Sequence, residues 1–189
     1  MTFIHQIDWE VFELVQNLWH PALDFIMKAL SIVGEGGMIW IALTLILFIP
    51  KKTRKTAAYT AAALIVMLLL NNILLKNLFH RVRPFDYDGW PNFIYPDIIK
   101  RPSSYSFPSG HTSSSFAAAA AIMITNKKIG VPALIFAAVM GFSRIYLFVH
   151  YFSDVLAGAV LGVAYGFIGY LILNAIIKFV DNKRENKIL

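Results

Sequence analysis

Near the N-terminus the apolar positions Phe3, Ile4, Ile7, Val11, Leu14, Val15 and Leu18 recur at helical spacing, with Gln6, Glu10, Glu13 and Asn17 between them. The pattern predicts an amphipathic helix, too polar to span a bilayer and therefore lying flat in the interface, ended by residues 17–21. A second helix over 23–33 carries Asp24 and Lys28. It is too short for a hydrocarbon core of about 30 Å and is expected to be interfacial or partly inserted. Stronger apolar stretches follow at 36–49, 56–78, 111–125, 130–149 and 154–179. The first and third are short for a full crossing and must borrow flanking residues or thin the bilayer locally. An unbroken helix over 130–179 would be about 75 Å long, so a turn is expected near 150–154.

Composition agrees with this pattern. Of 189 residues, 58% are hydrophobic and 15% charged, and the mean hydropathy is +0.61, well above the range of an ordinary soluble domain. The expected fold class is all-α: one integral membrane domain over 1–189, with five to six membrane-embedded helices and an N-terminal interfacial helix. No cysteine is present, which excludes disulfides, thiolate metal sites and a cysteine nucleophile. The early acidic residues Asp8, Glu10 and Glu13 do not resemble the positive start of a secretory signal.

The net charge of +6 does not point to nucleic acid, because the basic residues fall in short clusters between apolar stretches. KKTRK at 51–55, KK at 127–128 and Lys178, Lys183, Arg184 and Lys187 share one side of a five-crossing arrangement. The positive-inside rule makes that side cytoplasmic. The opposite side receives the loop 81–107, whose Pro84, Pro91, Pro96 and Pro102 alternate with Phe85, Tyr87, Trp90, Phe93, Tyr95, Tyr105 and Phe107. Such a loop reads as an aromatic belt over lipid headgroups.

Three polar clusters meet on this external side: KNLFHRVRP (76–84), PSGH (108–111) and SRIYLFVHYFSD (143–154). They supply Lys76, Arg83 and Arg144 as cations, His111 and His150 as imidazoles, Ser109 and Ser143 as hydroxyls, and Asp154 as a carboxylate. Ionisable groups at membrane edges are costly and are functional candidates by default. Phosphoryl transfer calls for this set: cations for the nonbridging oxygens, a nucleophile, and a proton donor for the leaving oxygen. Gly110 opens a helix whose free N–H groups can cradle phosphate, with His111 beside it as a general acid. His150 and Asp154 are four apart and on helical backbone would share a face, so the carboxylate can orient the imidazole for attack.

Lys76-x6-Arg83-Pro84, then Pro108-Ser109-Gly110-His111, then Ser143-Arg144-x5-His150-x3-Asp154 resemble the three-part signature of the type 2 phosphatidic acid phosphatase superfamily, membrane lipid phosphatases related to vanadium haloperoxidases. The resemblance covers 76–154. It implies a metal-independent, cofactor-free hydrolysis through a phosphohistidine: His150 as nucleophile, Asp154 orienting it, His111 protonating the leaving group, and Lys76, Arg83, Ser109, Gly110 and Arg144 binding phosphate. It also implies a membrane lipid as substrate, with undecaprenyl diphosphate leading and phosphatidylglycerol phosphate or phosphatidic acid as rivals.

Other residues have plainer readings. His80 is interfacial, Arg81, Lys100 and Arg101 are headgroup anchors, Glu35 in GEGG is a turn carboxylate, and Asp86 and Asp88 only superficially resemble a metal-binding pair. A divalent-metal site on His111, His150 and Asp154 is disfavoured by three cations aimed at the same spot. A rival of another class is a non-hydrolytic headgroup binder or translocator, which needs the arginines but not an oriented histidine. The oligomeric state is not legible in the sequence.

Overall fold

A computed structural model describes residues 2–88 and 99–186. Of the expected aromatic loop, Trp90, Pro91, Phe93, Tyr95 and Pro96 lie outside the described residues, as does Lys187 of the tail. The described residues are all-α: α1 (Phe3–Gln16), α2 (Pro21–Gly34), α3 (Met38–Phe48), α4 (Arg54–Met67), a π-helix (Leu68–Leu75), α5 (Lys76–Phe79), α6 (Gly110–Thr125), α7 (Lys127–Tyr146) and α8 (Phe152–Glu185). Among them, four helical stretches are long and apolar enough to cross a membrane: Pro21–Phe48, Lys51–Asp86, Lys127–Tyr146 and Phe152–Arg184. The chain is an integral, multi-pass membrane protein.

α6 is the axis of the bundle. Its sixteen residues make a rod of about 24 Å, and Ala117, Ala118, Ala119, Ala121 and Ile122 are buried along it. Lipid tails are as apolar as leucine, so hydrophobicity alone does not hold helices together in a bilayer; close backbone approach between small residues does. α8 supplies the matching surface. A Cβ added at Gly162 would stand 2.7 Å from the Phe116 Cβ, and one at Gly166 would stand 2.7 Å from the Ala120 Cβ. The other face of α8 exposes Leu156, Val160, Val163, Phe167 and Leu171, as a lipid-facing surface requires.

Several boundaries differ from the sequence reading. The two helices expected over 23–33 and 36–49 are present as α2 and α3, but they run on as one bent 28-residue stretch. The bend lies at Gly36 (φ 57) and Gly37 (φ 76), left-handed backbone that glycine adopts without steric cost. The stretch 56–78 passes from α-helix into the π-helix before Lys76. The turn expected at 150–154 comes earlier: α7 ends at Tyr146 and α8 begins at Phe152.

α1 buries a different stripe from the one its apolar periodicity suggests. Asp8, Phe12 and Val15 face inward, while Phe3, Ile4 and Leu14 are exposed. The Phe12 ring packs 4.0 Å from that of Phe148, centroid to centroid. At the next corner the Trp19 indole N–H donates to the Tyr146 carbonyl at 3.2 Å, and the Tyr146 hydroxyl donates to Asp24 at 2.6 Å. The N-terminal helices are thereby fastened to the end of α7, beside the turn that carries His150.

Candidate active site

The α7–α8 turn is built on one carbonyl. Arg144 O accepts from the backbone N–H groups of Val149 and His150 at 3.2 and 3.3 Å, and Phe148 takes the left-handed conformation, φ 57, that closes a helix C-terminus. His150 is therefore in a turn, not on helical backbone as its spacing from Asp154 suggested. The pair still meets, because Asp154 sits in the first turn of α8 and reaches back: its Oδ2 accepts from the Tyr151 N–H at 3.1 Å and lies 3.5 Å from His150 Nδ1. That is the backward reach of a capping carboxylate.

Ser106 completes the pair. Its hydroxyl donates to Asp154 Oδ2 at 2.5 Å and lies 3.4 Å from His150 Nδ1. On the far side of the ring, Arg83 Nη1 approaches Nε2 at 3.3 Å. A guanidinium can only donate, so Nε2 carries the lone pair and Nδ1 the hydrogen. His150 is 2% exposed, and burial, followed by the charges of Arg83, Arg144, Lys76 and His111, holds its pKa well below the ordinary 6.5. A neutral, oriented imidazole is the form a nucleophile needs.

The cations are held from behind. Arg83 donates from Nε to the Ser104 carbonyl and from Nη1 to the Val149 carbonyl, each at 2.6 Å, joining the loop before α6 to the α7–α8 turn. Lys76 Nζ lies 3.4 Å from Ser104 Oγ. Arg144, 2% exposed, donates from Nη1 to Ser31 Oγ of α2 at 2.7 Å, while its buried Nε has no partner among the described residues. The Ser31 carbonyl accepts from His111 Nε2 at 3.1 Å, which leaves Nδ1 as the atom able to exchange a proton.

Lys76, Arg83, Gly110, His111, Arg144 and His150 line one end of a cavity of about 1020 Å³. Its flank is apolar, with Ile41, Leu45 and Phe48 of α3 facing Leu64 and Ile65 of α4 and Leu68 of the π-helix. Ser109 and Asp154 do not line it. Ser109 is buried at the start of α6, where its hydroxyl accepts from Thr112 at 2.9 Å and its N–H donates to the Asp154 carbonyl at 3.3 Å. Ser143 is also buried, bonded to the Met140 carbonyl at 2.6 Å. A Cβ on Gly110 would approach Asn72 Oδ1 at 3.4 Å and Lys76 Nζ at 3.9 Å, so glycine keeps this wall open.

Sequence reasoning missed four contributors: Ser31, Ser104, Ser106 and Asn72. Asn72 lines the cavity from the π-helix, and its Oδ1 accepts from Asn71, whose own Oδ1 accepts from Ser113 at 2.8 Å. π-helical turns concentrate at functional sites, yet none is written in an apolar sequence pattern. Arg81 is corrected: it is not a headgroup anchor, since it pairs with Asp8 at 2.8 Å and with Asp154 at 2.5 Å. His80 is exposed, edge-on to Tyr105, and Glu35 sits in the glycine turn at the cavity wall. Lys28, Lys100 and Arg101 are exposed at the same cavity.

A cation-lined pocket with a backed, neutral histidine, opening onto an apolar groove inside a helical membrane bundle, defines a membrane phosphohydrolase acting on an amphiphile. The PAP2 superfamily model matches residues 55–178, and the chain belongs to that superfamily of metal-independent lipid phosphate phosphatases. It is 30% identical over 177 residues to the undecaprenyl-diphosphatase BcrC of Bacillus subtilis strain 168, covering 93% of this chain and 89% of that protein. It is 32% identical over 150 residues to decaprenylphosphoryl-5-phosphoribose phosphatase of Mycobacterium tuberculosis, covering 77% of this chain and 78% of the relative. The crystal structure of the PAP2-type phosphatidylglycerolphosphate phosphatase from Bacillus subtilis superposes with a TM-score of 0.71 at 25% identity, over 93% of this chain and 89% of that one.

Proposed function

We propose that the protein hydrolyses a polyprenyl diphosphate, undecaprenyl diphosphate foremost, to the monophosphate and inorganic phosphate at the extracytoplasmic face of the membrane. The observation that carries this reading is His150: it lines the cationic end of the cavity, with Nε2 toward Arg83 and Nδ1 backed by Ser106 and Asp154. The terminal phosphate sits among Lys76, Arg83 and Arg144, with the N–H groups at Gly110 as further donors. Its nonbridging oxygens carry the charge that these groups stabilise. The Nε2 lone pair attacks phosphorus, the bond to the bridging oxygen breaks, and His111 gives its proton to the departing lipid phosphate. Asp154, with Ser106, stabilises the imidazolium character that develops on His150. Water then attacks the phosphohistidine, His111 takes its proton, and the P–N bond breaks to release phosphate and restore His150.

The polyprenyl substrate is supported by the likeness to BcrC along nearly the whole chain and by the apolar α3–α4 flank, which suits a long hydrocarbon. Phosphatidylglycerol phosphate is the second reading, supported by the likeness to the Bacillus subtilis phosphatase structure. The external placement rests on the basic clusters at 51–55 and 127–128.

The test is phosphate release by purified protein in detergent from undecaprenyl diphosphate, undecaprenyl phosphate, phosphatidylglycerol phosphate and phosphatidic acid, with EDTA present and His150→Ala alongside. Fastest release from the diphosphate, lost in the variant, supports the reading. Preference for phosphatidylglycerol phosphate moves the assignment to the second. No release by folded protein favours a non-hydrolytic binder.

A further inference from the structure

The N-terminal helix lies outside the matched residues 55–178, and neither its sequence nor any phosphate chemistry calls for a buried carboxylate on it. Yet Asp8 is 0% exposed. Its Oδ1 accepts from the Ser153 N–H at 2.8 Å, and its Oδ2 accepts from the Ser153 hydroxyl and from Arg81 Nη2, each at 2.8 Å. Arg81 turns its other terminal nitrogen to Asp154 Oδ1 at 2.5 Å and to Ser153 Oγ at 2.8 Å. Its guanidinium lies over the Tyr151 ring, 3.9 Å from the centroid.

We infer that Arg81 and Asp8 are positioning residues for the phosphatase reaction, acting through Asp154 as a relay from the N-terminal helix to the nucleophile. The inference rests on the proposed role of His150. The two oxygens of Asp154 are divided: Oδ1 goes to Arg81, while Oδ2 serves Ser106, the Tyr151 N–H and the His150 side. Arg81 therefore fixes the rotation of the carboxylate about its Cβ–Cγ bond, and with it the oxygen presented to the imidazole.

Asp8 supplies the second half of the device. A guanidinium paired with Asp154 alone would cancel the negative charge that stabilises the imidazolium. Shared between two carboxylates, it leaves the trio with one net negative charge beside His150. The planar fork of arginine suits this bridging of two carboxylates, whereas a lysine ammonium is a single point of charge. Arg81 does not line the cavity, so the device acts on turnover and not on phosphate capture.

The experiment measures kcat and KM for Asp8→Asn, Arg81→Lys and Arg81→Met in detergent with undecaprenyl diphosphate. Rates are normalised to active sites titrated by alkaline trapping of the base-stable, acid-labile phosphoenzyme from ³²P-labelled substrate, and thermal unfolding is followed in parallel. Expected are kcat losses of about a hundredfold for Arg81→Met, about tenfold for Asp8→Asn, and an intermediate loss for Arg81→Lys, all with KM within about twofold. A purely structural role would lower the unfolding temperature and the number of active sites but leave kcat per site unchanged. That outcome, or a rise in KM at constant kcat, overturns the inference. If Arg81→Met does not fold, the near-isosteric Asp8→Asn decides by the same criterion. Wild-type protein that turns over but forms no phosphohistidine on His150 overturns the nucleophile assignment itself. A trapped phosphohistidine with unchanged kcat per site in the variants overturns only the relay.

Discussion

The segment 76–154 and the N-terminal third differ in kind. The first contributes the cations and histidines that line one end of the cavity: Lys76, Arg83, His111, Arg144 and His150. The second adds acceptors from outside that segment: Ser31, which accepts from Arg144 through its hydroxyl and from His111 through its carbonyl, and Asp8, which accepts from Arg81. The division follows from where each need arises. Chemistry on phosphate demands particular side chains at particular spacings, whereas holding a guanidinium in place demands only an acceptor at the right distance. A serine or a main-chain carbonyl can serve, from any helix that packs there.

Substitutions can break this division or sharpen it. His150→Ala is expected to cost about 10⁴-fold or more in kcat, since it removes the bond-forming atom; steady-state phosphate release measures it, and residual turnover within tenfold of wild type would remove His150 from the centre. Ser106→Ala is expected to lower kcat about a hundredfold with KM little changed, because Asp154 and His150 Nδ1 lose the hydroxyl between them. Unchanged kcat would mean that the 3.5 Å Asp154 contact suffices alone.

Ser31→Ala tests the supporting region. Loss of a hydrogen bond to a buried cation costs about 1.5–3 kcal/mol, so kcat/KM should fall about tenfold or more while the protein stays folded. A loss as great as that of His150→Ala would erase the distinction between reacting and supporting groups.

The smallest expected effect is on pH dependence. Nucleophilic attack needs neutral His150, whose pKa burial and the surrounding cations depress below 6.5. The acidic limb that His150 sets in kcat/KM should therefore lie below the ordinary histidine range. An acidic limb centred at or above 6.5 would mean that this site titrates like an exposed imidazole.

Much of the fold was legible because membrane insertion writes itself in composition. The apolar lengths of α4, α7 and α8 and the small-residue run of α6 stand out without any structure. Their exact ends did not, since the Gly36–Gly37 bend and the π-helix at Leu68–Leu75 depend on which neighbours take up the freed backbone groups. The three motif clusters were legible for a similar reason, because ionised groups at a membrane edge are conspicuous. Ser104 and Ser106 were not: serines are common in loops, and only proximity to Arg83 and Asp154 distinguishes them. Arg81 was misread because a basic residue near an aromatic loop looks like an interfacial anchor until its two carboxylate partners are seen.

The sequence by itself therefore determined the membrane class, the bundle's small-residue packing surface and the three polar clusters that supply the cavity's cations and histidines, because bilayer and reaction each restrict residue type at given positions. Only the tertiary structure decided that His150 lies in a turn with Ser106 at its back, that α2 carries the acceptors for Arg144 and His111, and that a carboxylate from the first helix binds Arg81 and Ser153 beside Asp154. Those contacts join residues tens to more than a hundred positions apart. Hydrogen-bond distance in space, unlike hydropathy or motif spacing, leaves no periodic trace along a chain.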